Sequence, residues 1–218
     1  MNWFDTHICG EHLRLSPDRA LYWPRHERLL LADPHFGKGG VFRQNGLAVP
    51  SGDTGADLDR VSHLIEETGA RELFVLGDFL HAPPRGSEPW LERFSQWRRR
   101  HAALRVVVTR GNHDRLSRAP AQWDIEWQPG PIVCPPFVLQ HEPAPSDAGY
   151  VLAGHLHPVV RLGSARESLR TPVFWFGDAV GVLPAFGSFT GGSKIRPQPG
   201  DRLFAVGPDI VELTLAGA

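Results

Sequence analysis

Short apolar runs and helical repeats alternate along the first half of the chain. Continuous apolar runs of four or five residues predict strands that are buried on both faces. They lie at 28–32, 73–76 and 105–109. Two helices are predicted between the runs, one with Leu58, Val61 and Leu64 on one face and Gly69 as its C-cap, the other over 89–101. Strands and helices that alternate in this way predict a right-handed parallel α/β sheet.

Two further segments of this half have different patterns. Residues 13–23 predict a hairpin whose turn is Ser16-Pro17-Asp18. Residues 37–52 are rich in glycine and polar residues and show no clear period, so we expect a long loop there. Long loops in compact domains are often functional.

Strands with few helical runs between them are predicted in the second half of the chain, where proline and glycine are frequent. They lie at 132–140, 150–153, 159–162, 173–176, 203–206 and 210–215. A sheet formed by such strands should be largely antiparallel. No internal repeat or obvious linker interrupts the sequence, and we expect a single domain over 1–218.

The composition is that of an ordinary globular protein. Hydrophobic residues make up 41% of the chain and charged residues 22%, and the formal net charge is −1. This balance excludes the strongly basic class of DNA-coating proteins, so attraction for nucleic acid must come from local patches or bound metal. Two cysteines do not make a disulfide scaffold. We expect a cytoplasmic protein, because the N-terminus lacks the pattern of a signal peptide and no apolar run has the length of a membrane span.

Five short segments carry side chains that can bind metals, and four of them follow a predicted strand. They are Asp33-Pro34-His35, Gly77-Asp78, Gly111-Asn112-His113-Asp114, His141 and Gly154-His155-Leu156-His157. Open α/β sheets place their chemistry at the carboxyl ends of their strands. Aspartate, asparagine and histidine together supply the oxygen and imidazole ligands that suit manganese, iron or zinc.

Each segment taken alone has an ordinary structural interpretation. Asp33 after a strand is typical of a helix N-cap or a turn. Asp78 suits a turn that ends a strand, and Asn112 tolerates a left-handed turn. His155 and His157 are two residues apart and would face the same side of a strand, at the surface or in the core. The order of the five segments therefore carries more information than any one of them.

In this order the segments resemble the motifs of the calcineurin-like metallophosphoesterase superfamily. Those motifs are Asp-x-His, Gly-Asp, Gly-Asn-His-Asp or Gly-Asn-His-Glu, a later His, and Gly-His-x-His, and the match runs from Asp33 to His157. The resemblance implies an α/β fold, a four-layer α/β/β/α sandwich of two mixed β-sheets flanked by helices, with a dinuclear metal site at the carboxyl ends of strands. It also implies hydrolysis of a phosphoester by a hydroxide that bridges the two metal ions.

The resemblance further implies a role for each motif residue. One ion would be held by Asp33, His35, Asp78 and His157, and the other by Asp78, Asn112, His141 and His155. Asp78 would bridge the ions, because one carboxylate has two oxygens to share. His113 would lie beside the ions and protonate the leaving oxygen, since imidazole titrates near neutral pH. Asp114 would orient His113 or support the site from outside, and the structural alternative for His113 is a histidine satisfied at a turn.

Two positions depart from the superfamily pattern. The Gly-Asp motif commonly continues to another acidic residue, whereas this chain has His81, which either approaches the substrate or caps a turn. The later histidine is usually followed by glycine, whereas Glu142 follows His141. We keep His141 as a ligand because it comes directly after a predicted strand.

Secondary motifs resemble the bacterial branch of ligase-associated DNA-damage-response endonucleases. They lie at 32–38, 42–43, 46–50 and 184–192. This branch implies two divalent ions, most simply Mn²⁺ with iron or zinc as alternatives, and a phosphodiester substrate such as DNA. It also implies a DNA ligase and a helicase as repair partners. Lys38, Arg43 and His81 are the candidate substrate-binding residues. The positively charged side chains of Lys38 and Arg43 follow the first ligands along the chain and can meet flanking phosphates.

Two other functions stay open at this point. One is a small-molecule nucleotide phosphodiesterase or phosphomonoesterase, since the metal motifs do not choose a substrate. The other is a scaffold that binds partners without catalysis. The intact Asp78, Asn112, His113, His155 and His157 argue against a scaffold.

Overall fold

Two mixed β-sheets face each other across a shared apolar core in the computed structural model. The structure describes residues 2–44, 46, 53–84, 88–116, 120–163, 168–188 and 190–214. The shared core takes Trp23, Leu30 and Phe74 from one sheet and Phe137 and Phe174 from the other. It therefore fixes the position of one sheet relative to the other.

The N-terminal sheet contains the first seven strands in their order along the chain. They are β1 Phe4–Ile8, β2 Glu11–Leu15, β3 Leu21–Trp23, β4 Arg28–Leu31, β5 Glu72–Leu76, β6 Arg105–Thr109 and β7 Glu126–Gln128. Strands β4 to β7 pair in parallel, as the alternation of strands and helices predicts. Strands β1 to β4 pair antiparallel, and the β2–β3 pair is the predicted hairpin.

Three α-helices lie between β4 and β6 along the chain. They are α1 Lys38–Gln44, α2 Asp53–Thr68 and α3 Pro89–Arg100, and short 3₁₀ turns occur at Pro24–His26 and Ala121–Trp123. Leu58, Val61, Phe94 and Trp97 turn their apolar sides to a core on the outer face of the N-terminal sheet. The predicted loop over 37–52 was wrong for its first half, which forms α1. Residues 45 and 47–52 lie outside the described residues.

The C-terminal sheet contains nine strands in the described residues. They are β8 Ile132–Cys134, β9 Phe137–Leu139, β10 Tyr150–Ala153, β11 Pro158–Gly163, β12 Ser168–Phe176, β13 Val180–Val182, β14 Ser193–Lys194, β15 Arg202–Val206 and β16 Ile210–Leu213. The single strand predicted over 132–140 is a hairpin, because Pro135-Pro136 turns the chain between β8 and β9. Most pairs are antiparallel, as predicted, but β9–β10, β10–β13 and β11–β14 are parallel.

The two mixed sheets and their packed inner faces confirm the predicted α/β architecture. In the described residues the α-helices are few, and all three lie between strands of the N-terminal sheet along the chain. On the C-terminal sheet, Val173, Ile195, Leu203 and Ala205 form a separate small core, and no α-helix of the described residues covers it. No helix in the described part of the chain is long and apolar enough to cross a membrane.

Candidate metal centre

The carboxyl ends of strands from both sheets meet at one edge of the shared core. Asp33, Asp78 and Asn112 follow β4, β5 and β6, and His141 and His155 follow β9 and β10. The two edges are joined by a bridge between Ala32 and Ala185. Three groups of side chains offer ligand atoms that all lie within 4.8 Å of one another: Asp33, His35 and His157; Asp33, Asp78 and His141; and His35, His81 and His113.

Asp78 stands between the two predicted ligand sets. Its Oδ2 lies 3.6 Å from Nε2 of His35, and its Oδ1 lies 3.5 Å from Nε2 of His141. The backbone N–H of His113 donates to Oδ1 at 2.9 Å. The two carboxylate oxygens therefore face different histidines, which is the arrangement that a bridging ligand needs.

The ring atom Nε2 of His141 is the meeting point of one ligand set. Oδ1 of Asn112 lies 2.9 Å from it, and Nδ1 of His155 lies 3.1 Å from it. The other ring nitrogen of His141 lies 3.1 Å from the carbonyl oxygen of Leu76. A proton on Nδ1 would donate to this carbonyl and leave the Nε2 lone pair free for a cation, which is how ligand histidines are usually oriented.

His157 is oriented in the same way on the other side of the cluster. Its Nδ1 lies 3.1 Å from the carbonyl oxygen of Gly191, and its Nε2 lies 3.5 Å from Oδ2 of Asp33. Burial lowers the pKa of His157, but the Asp33 carboxylate opposes burial, and the net effect raises the pKa. The backbone N–H of His155 also donates to Asp33 Oδ2 at 2.8 Å.

The buried carboxylates fit a pair of divalent cations. Asp33 is 0% exposed and Asp78 is 2% exposed, and among the described residues their ion-pair contacts are with histidines alone. Burial raises the pKa of Asp33 despite the neighbouring His157 and His141. Buried atoms without a hydrogen-bond partner include Asp33 Oδ1, His35 Nδ1 and His157 Nε2. Buried charge and unpaired acceptors are costly unless a metal compensates them.

Left-handed backbone conformations are concentrated at this cluster. Nine non-glycine residues of the described chain have a positive φ, and five of them are candidate ligands: Asp33, His35, Asp78, His155 and His157. Aspartate and histidine enter this region more readily than most residues, and such strain gathers at functional sites. The turns that follow the strands thus aim side chains inward at the expense of backbone strain.

Two motif glycines make room for ligands from neighbouring loops. A Cβ on Gly77, which has a φ of +76°, would lie 2.2 Å from Nδ1 of His141. A Cβ on Gly111 would lie 2.2 Å from Oδ1 of Asp78. The glycine before each of these aspartate and asparagine ligands is therefore a packing requirement of the cluster.

His113 lies beside the cluster and contacts two other imidazoles. Its ring is stacked on His81 with centroids 5.5 Å apart, and it meets His35 edge-on at 5.1 Å. Burial, followed by the charges of Lys38 and His113, lowers the pKa of His81 to about 4. His81 is consequently neutral near neutral pH, and one of its ring nitrogens lies within 4.8 Å of ring nitrogens of His35 and His113.

Asp114 joins two of the ligand loops. Its carboxylate, 1% exposed, accepts hydrogen bonds from the backbone N–H groups of Phe79, Leu80 and Gly111 at 3.2, 2.9 and 2.9 Å. These contacts turn the carboxylate toward the Gly77–Leu80 backbone rather than toward the imidazole of His113. Of the two predicted roles, the structure favours support of the site from outside.

Of the two positively charged candidate substrate residues, Lys38 and Arg43, the structure describes only the side chain of Lys38. Lys38 is half-buried at the start of α1, where burial lowers its pKa and the charges of Asp78 and Asp33 oppose the shift. Its Nζ lies 5.7 Å from the ring centroid of Phe42, which in turn meets His81. The side chain of Arg43 lies outside the described residues.

The secondary motif at 184–192 did not predict how this part of the chain contacts the cluster. Its backbone bonds to the first ligand loop, with Phe186 N–H donating to Ala32 at 2.8 Å, and the carbonyl of Gly191 contacts His157. The side chain of Asp57 on α2 accepts a hydrogen bond from Ser188 Oγ at 2.6 Å. Backbone carbonyls have no sequence signature, so these contacts required the structure.

Comparison with known proteins places these features in a family. Residues 29–179 match the family described as calcineurin-like phosphoesterase. The chain is 42% identical to the Pseudomonas putida nuclease MPE, with a TM-score of 0.86 over 97% of this chain and 100% of that chain. No curated protein matches the chain.

Two more distant structures are similar to part of the chain. A protein of unknown function from Aquifex aeolicus has 17% identity and a TM-score of 0.43, covering 60% of this chain and 78% of its own. The Escherichia coli phosphoesterase Yfce has 16% identity and a TM-score of 0.37, covering 84% of this chain and 88% of its own. The family match over more than half of the chain, together with the nuclease at 42% identity, shows that this protein belongs to the calcineurin-like phosphoesterase family and is a phosphoester hydrolase.

Proposed function

We propose that this protein is a dinuclear-metal phosphodiesterase that cleaves DNA, with Mn²⁺ as the working metal. The observation that carries the proposal is the position of Asp78, whose two oxygens face His35 and His141 in two separate ligand sets. The solved relative with 42% identity is a nuclease, which supports a phosphodiester substrate. The resemblance to the DNA-damage-response branch favours a role in DNA repair.

The residues present would hold two ions. Asp33, His35, Asp78 and His157 would hold one ion, and Asp78, Asn112, His141 and His155 the other. Bound divalent ions would polarise the phosphoryl oxygens and lower the pKa of water, so that a nucleophile exists near neutral pH. Leu76 and Gly191 would accept the Nδ1 protons of His141 and His157, which would orient the two rings with Nε2 toward the ions.

His113 is the proposed proton donor to the leaving oxygen. Its backbone is tied to Asp78 Oδ1, so the imidazole is held beside the ligands without needing to be one of them. The leaving alkoxide of a nucleotide needs a proton, and a positioned acid contributes roughly 10²–10⁴-fold to such a step. His81, neutral and stacked on His113, would limit the rotation of that imidazole and hydrogen-bond to the substrate.

The proposed experiment offers purified protein with Mn²⁺ three substrates: supercoiled plasmid, bis-p-nitrophenyl phosphate and p-nitrophenyl phosphate. Nicked plasmid and cleaved diester are expected, and Asp78→Asn should abolish both. His113→Ala should impair plasmid nicking far more than diester cleavage, because p-nitrophenolate leaves without a proton. Cleavage of the small esters without nicking would reject DNA and favour a small-molecule phosphoesterase. No hydrolysis of any substrate would leave a non-catalytic scaffold.

A further inference from the structure

A cavity of about 280 Å³ adjoins the candidate ligand His157. Its walls include Arg19, Arg170, Ser188 and Thr190. No aspartate or glutamate of the described residues lines it. The cavity is therefore a positively charged space that is continuous with the wall of the metal centre.

Arg19 reaches this cavity from the turn between β2 and β3. Its backbone is left-handed, with a φ of 64°, although arginine has no special tolerance for that conformation. Its Nη1 donates to the carbonyl of Ala185 at 3.3 Å, and it forms no ion pair with a carboxylate of the described residues. The nearby acids Asp18 and Asp57 both pair with Arg60 instead.

Arg170 reaches the same cavity from β12. Its Nη2 donates to the carbonyl of Gly192, and within the described part of the chain no carboxylate pairs with it. It stands directly opposite Arg161 on β11, and like charges opposite each other destabilise a sheet. An anion beside Arg170 would remove part of this repulsion.

We propose that the cavity is a subsite for a second phosphate group of the substrate, next to the phosphate that is cleaved. Each guanidinium donates one N–H to a backbone carbonyl, Arg19 to Ala185 and Arg170 to Gly192, and has further donors for an anion. Guanidinium groups recognise phosphate through paired hydrogen bonds. The second phosphate is either an internal phosphodiester of a nucleic acid or a terminal phosphate of a nucleotide.

This inference rests on the proposed function. The test removes the charge of one substrate phosphate and, separately, the charges of Arg19 and Arg170. Oligonucleotides carry a neutral methylphosphonate at one position at a time around the cleaved bond. In the wild-type protein, one position should raise KM, and in Arg19→Gln/Arg170→Gln the same replacement should raise KM no further, since the contact is already lost. The double variant should also raise the ratio of KM for the oligonucleotide to KM for bis-p-nitrophenyl phosphate about tenfold.

The matched control is Arg99→Gln, an exposed arginine of α3 that has one carboxylate contact. It should leave the KM ratio within about twofold, because it does not line the cavity. Thermal unfolding of all variants distinguishes loss of phosphate binding from loss of stability caused by removing the hydrogen bonds to Ala185 and Gly192. If the double variant had a lower Tm but its KM rose on methylphosphonate substitution as much as in the wild-type protein, the arginines would be only structural. That result would overturn the proposal.

A binding measurement in EDTA tests the subsite without cleavage. Fluorescence anisotropy follows a labelled single strand at several salt concentrations, with circular dichroism to check the fold. Loss of one phosphate contact should reduce the slope of log K against log salt by roughly 0.7 in the double variant. Equal slopes would overturn the proposal, even if the wild-type protein cleaves DNA.

Two further comparisons are needed. One identifies which phosphate binds in the cavity, and the other separates failure of this inference from failure of the proposed function. A 5′-phosphorylated dinucleotide is compared with its unphosphorylated form, and a difference in the wild-type protein alone identifies a terminal phosphate. If the wild-type protein cleaves no oligonucleotide, the DNA function fails. The salt slopes then still decide whether the cavity binds phosphate.

Discussion

Backbone strain at individual residues is the clearest sign that the cluster was built for ligands. Asp33, His35, Asp78, His155 and His157 hold left-handed conformations that cost of order 1–3 kcal/mol each. Hydrogen bonds to backbone groups hold some of them in place, such as His155 N–H to Asp33. Such strain persists only when the surrounding structure fixes it, and cations would add to that restraint.

At this scale, Asp78 and His113 should respond differently to substitution. Asp78→Asn removes charge from a carboxylate that faces both ligand sets, so we expect loss of at least one of two Mn²⁺ equivalents in calorimetric titration. His113→Ala should retain both, because His113 is proposed to act on the leaving oxygen. Equal metal loss in the two variants would instead make His113 a ligand in the group with His35 and His81.

The protonation of His35 predicts how the metal-free protein responds to acid. Burial, followed by the charge of Lys38, lowers the pKa of His35 from 6.5 to about 2. The unfolded chain therefore takes up a proton as pH falls below about 6.5, whereas the folded protein does not. The stability contributed by neutral His35 is full above this pH and is lost progressively toward about pH 2.

Urea unfolding in EDTA, between about pH 6.5 and pH 4.5, checks this prediction. The free energy of unfolding of the wild-type protein should fall by about 1.4 kcal/mol per pH unit more than that of His35→Gln. The difference between the two proteins isolates His35 from Asp33, whose raised pKa acts in the opposite direction. Parallel pH profiles would contradict a buried neutral His35.

At the scale of elements, Asp114 connects the turns that follow β5 and β6. Asp114→Ala would leave three backbone N–H groups without an acceptor, which should lower the free energy of unfolding by about 2–4 kcal/mol. Mn²⁺ affinity should fall too, roughly 10–100-fold, because the loops of Asp78 and Asn112 lose their tie. The exposed Asp59→Ala on α2 is the control, and a similar effect there would reject the role of Asp114.

Most elements could be predicted from the sequence, and the exceptions have local causes. The buried strands β4, β5 and β6 and the helices α2 and α3 have clear apolar periods. Helix α1 has none and contains Gly39 and Gly40, so its helix depends on contacts that the sequence does not show. The β8–β9 hairpin was hidden because both strands are apolar and its turn is a proline pair.

The candidate site was predictable as a set of residues but not as a geometry. Motif order predicted that His141 would join Asp78 and Asn112, and the structure brings them together. The carbonyls of Leu76 and Gly191 that orient the histidines could not be predicted, since any residue supplies a carbonyl. Arg19 and Arg170 belong to no motif, and they line one cavity only because the turn between β2 and β3 lies near β12 in the folded chain.

At the scale of the whole molecule, the shared core sets the distance between the two halves of the site. Phe174→Ala in this core should lower the free energy of unfolding by about 3–5 kcal/mol and also weaken Mn²⁺ binding. Phe94→Ala in the outer core should cost a similar amount with a smaller effect on Mn²⁺. Unfolding in EDTA and metal titration of both variants check this, and equal changes in affinity would contradict it.

The division of ligands between the two sheets has a consequence for recombination among relatives. The N-terminal sheet supplies four of the proposed ligands: Asp33, His35, Asp78 and Asn112. The C-terminal sheet supplies the other three: His141, His155 and His157. Slippage by one residue along a strand, roughly 3.3 Å, exceeds the 2.8 Å bond that now joins His155 to Asp33. A chimera that combines the N-terminal sheet of one homologue with the C-terminal sheet of another would therefore be active only if their facing apolar surfaces fit each other. Enzymatic activity of such chimeras would report whether the two sheets are correctly aligned.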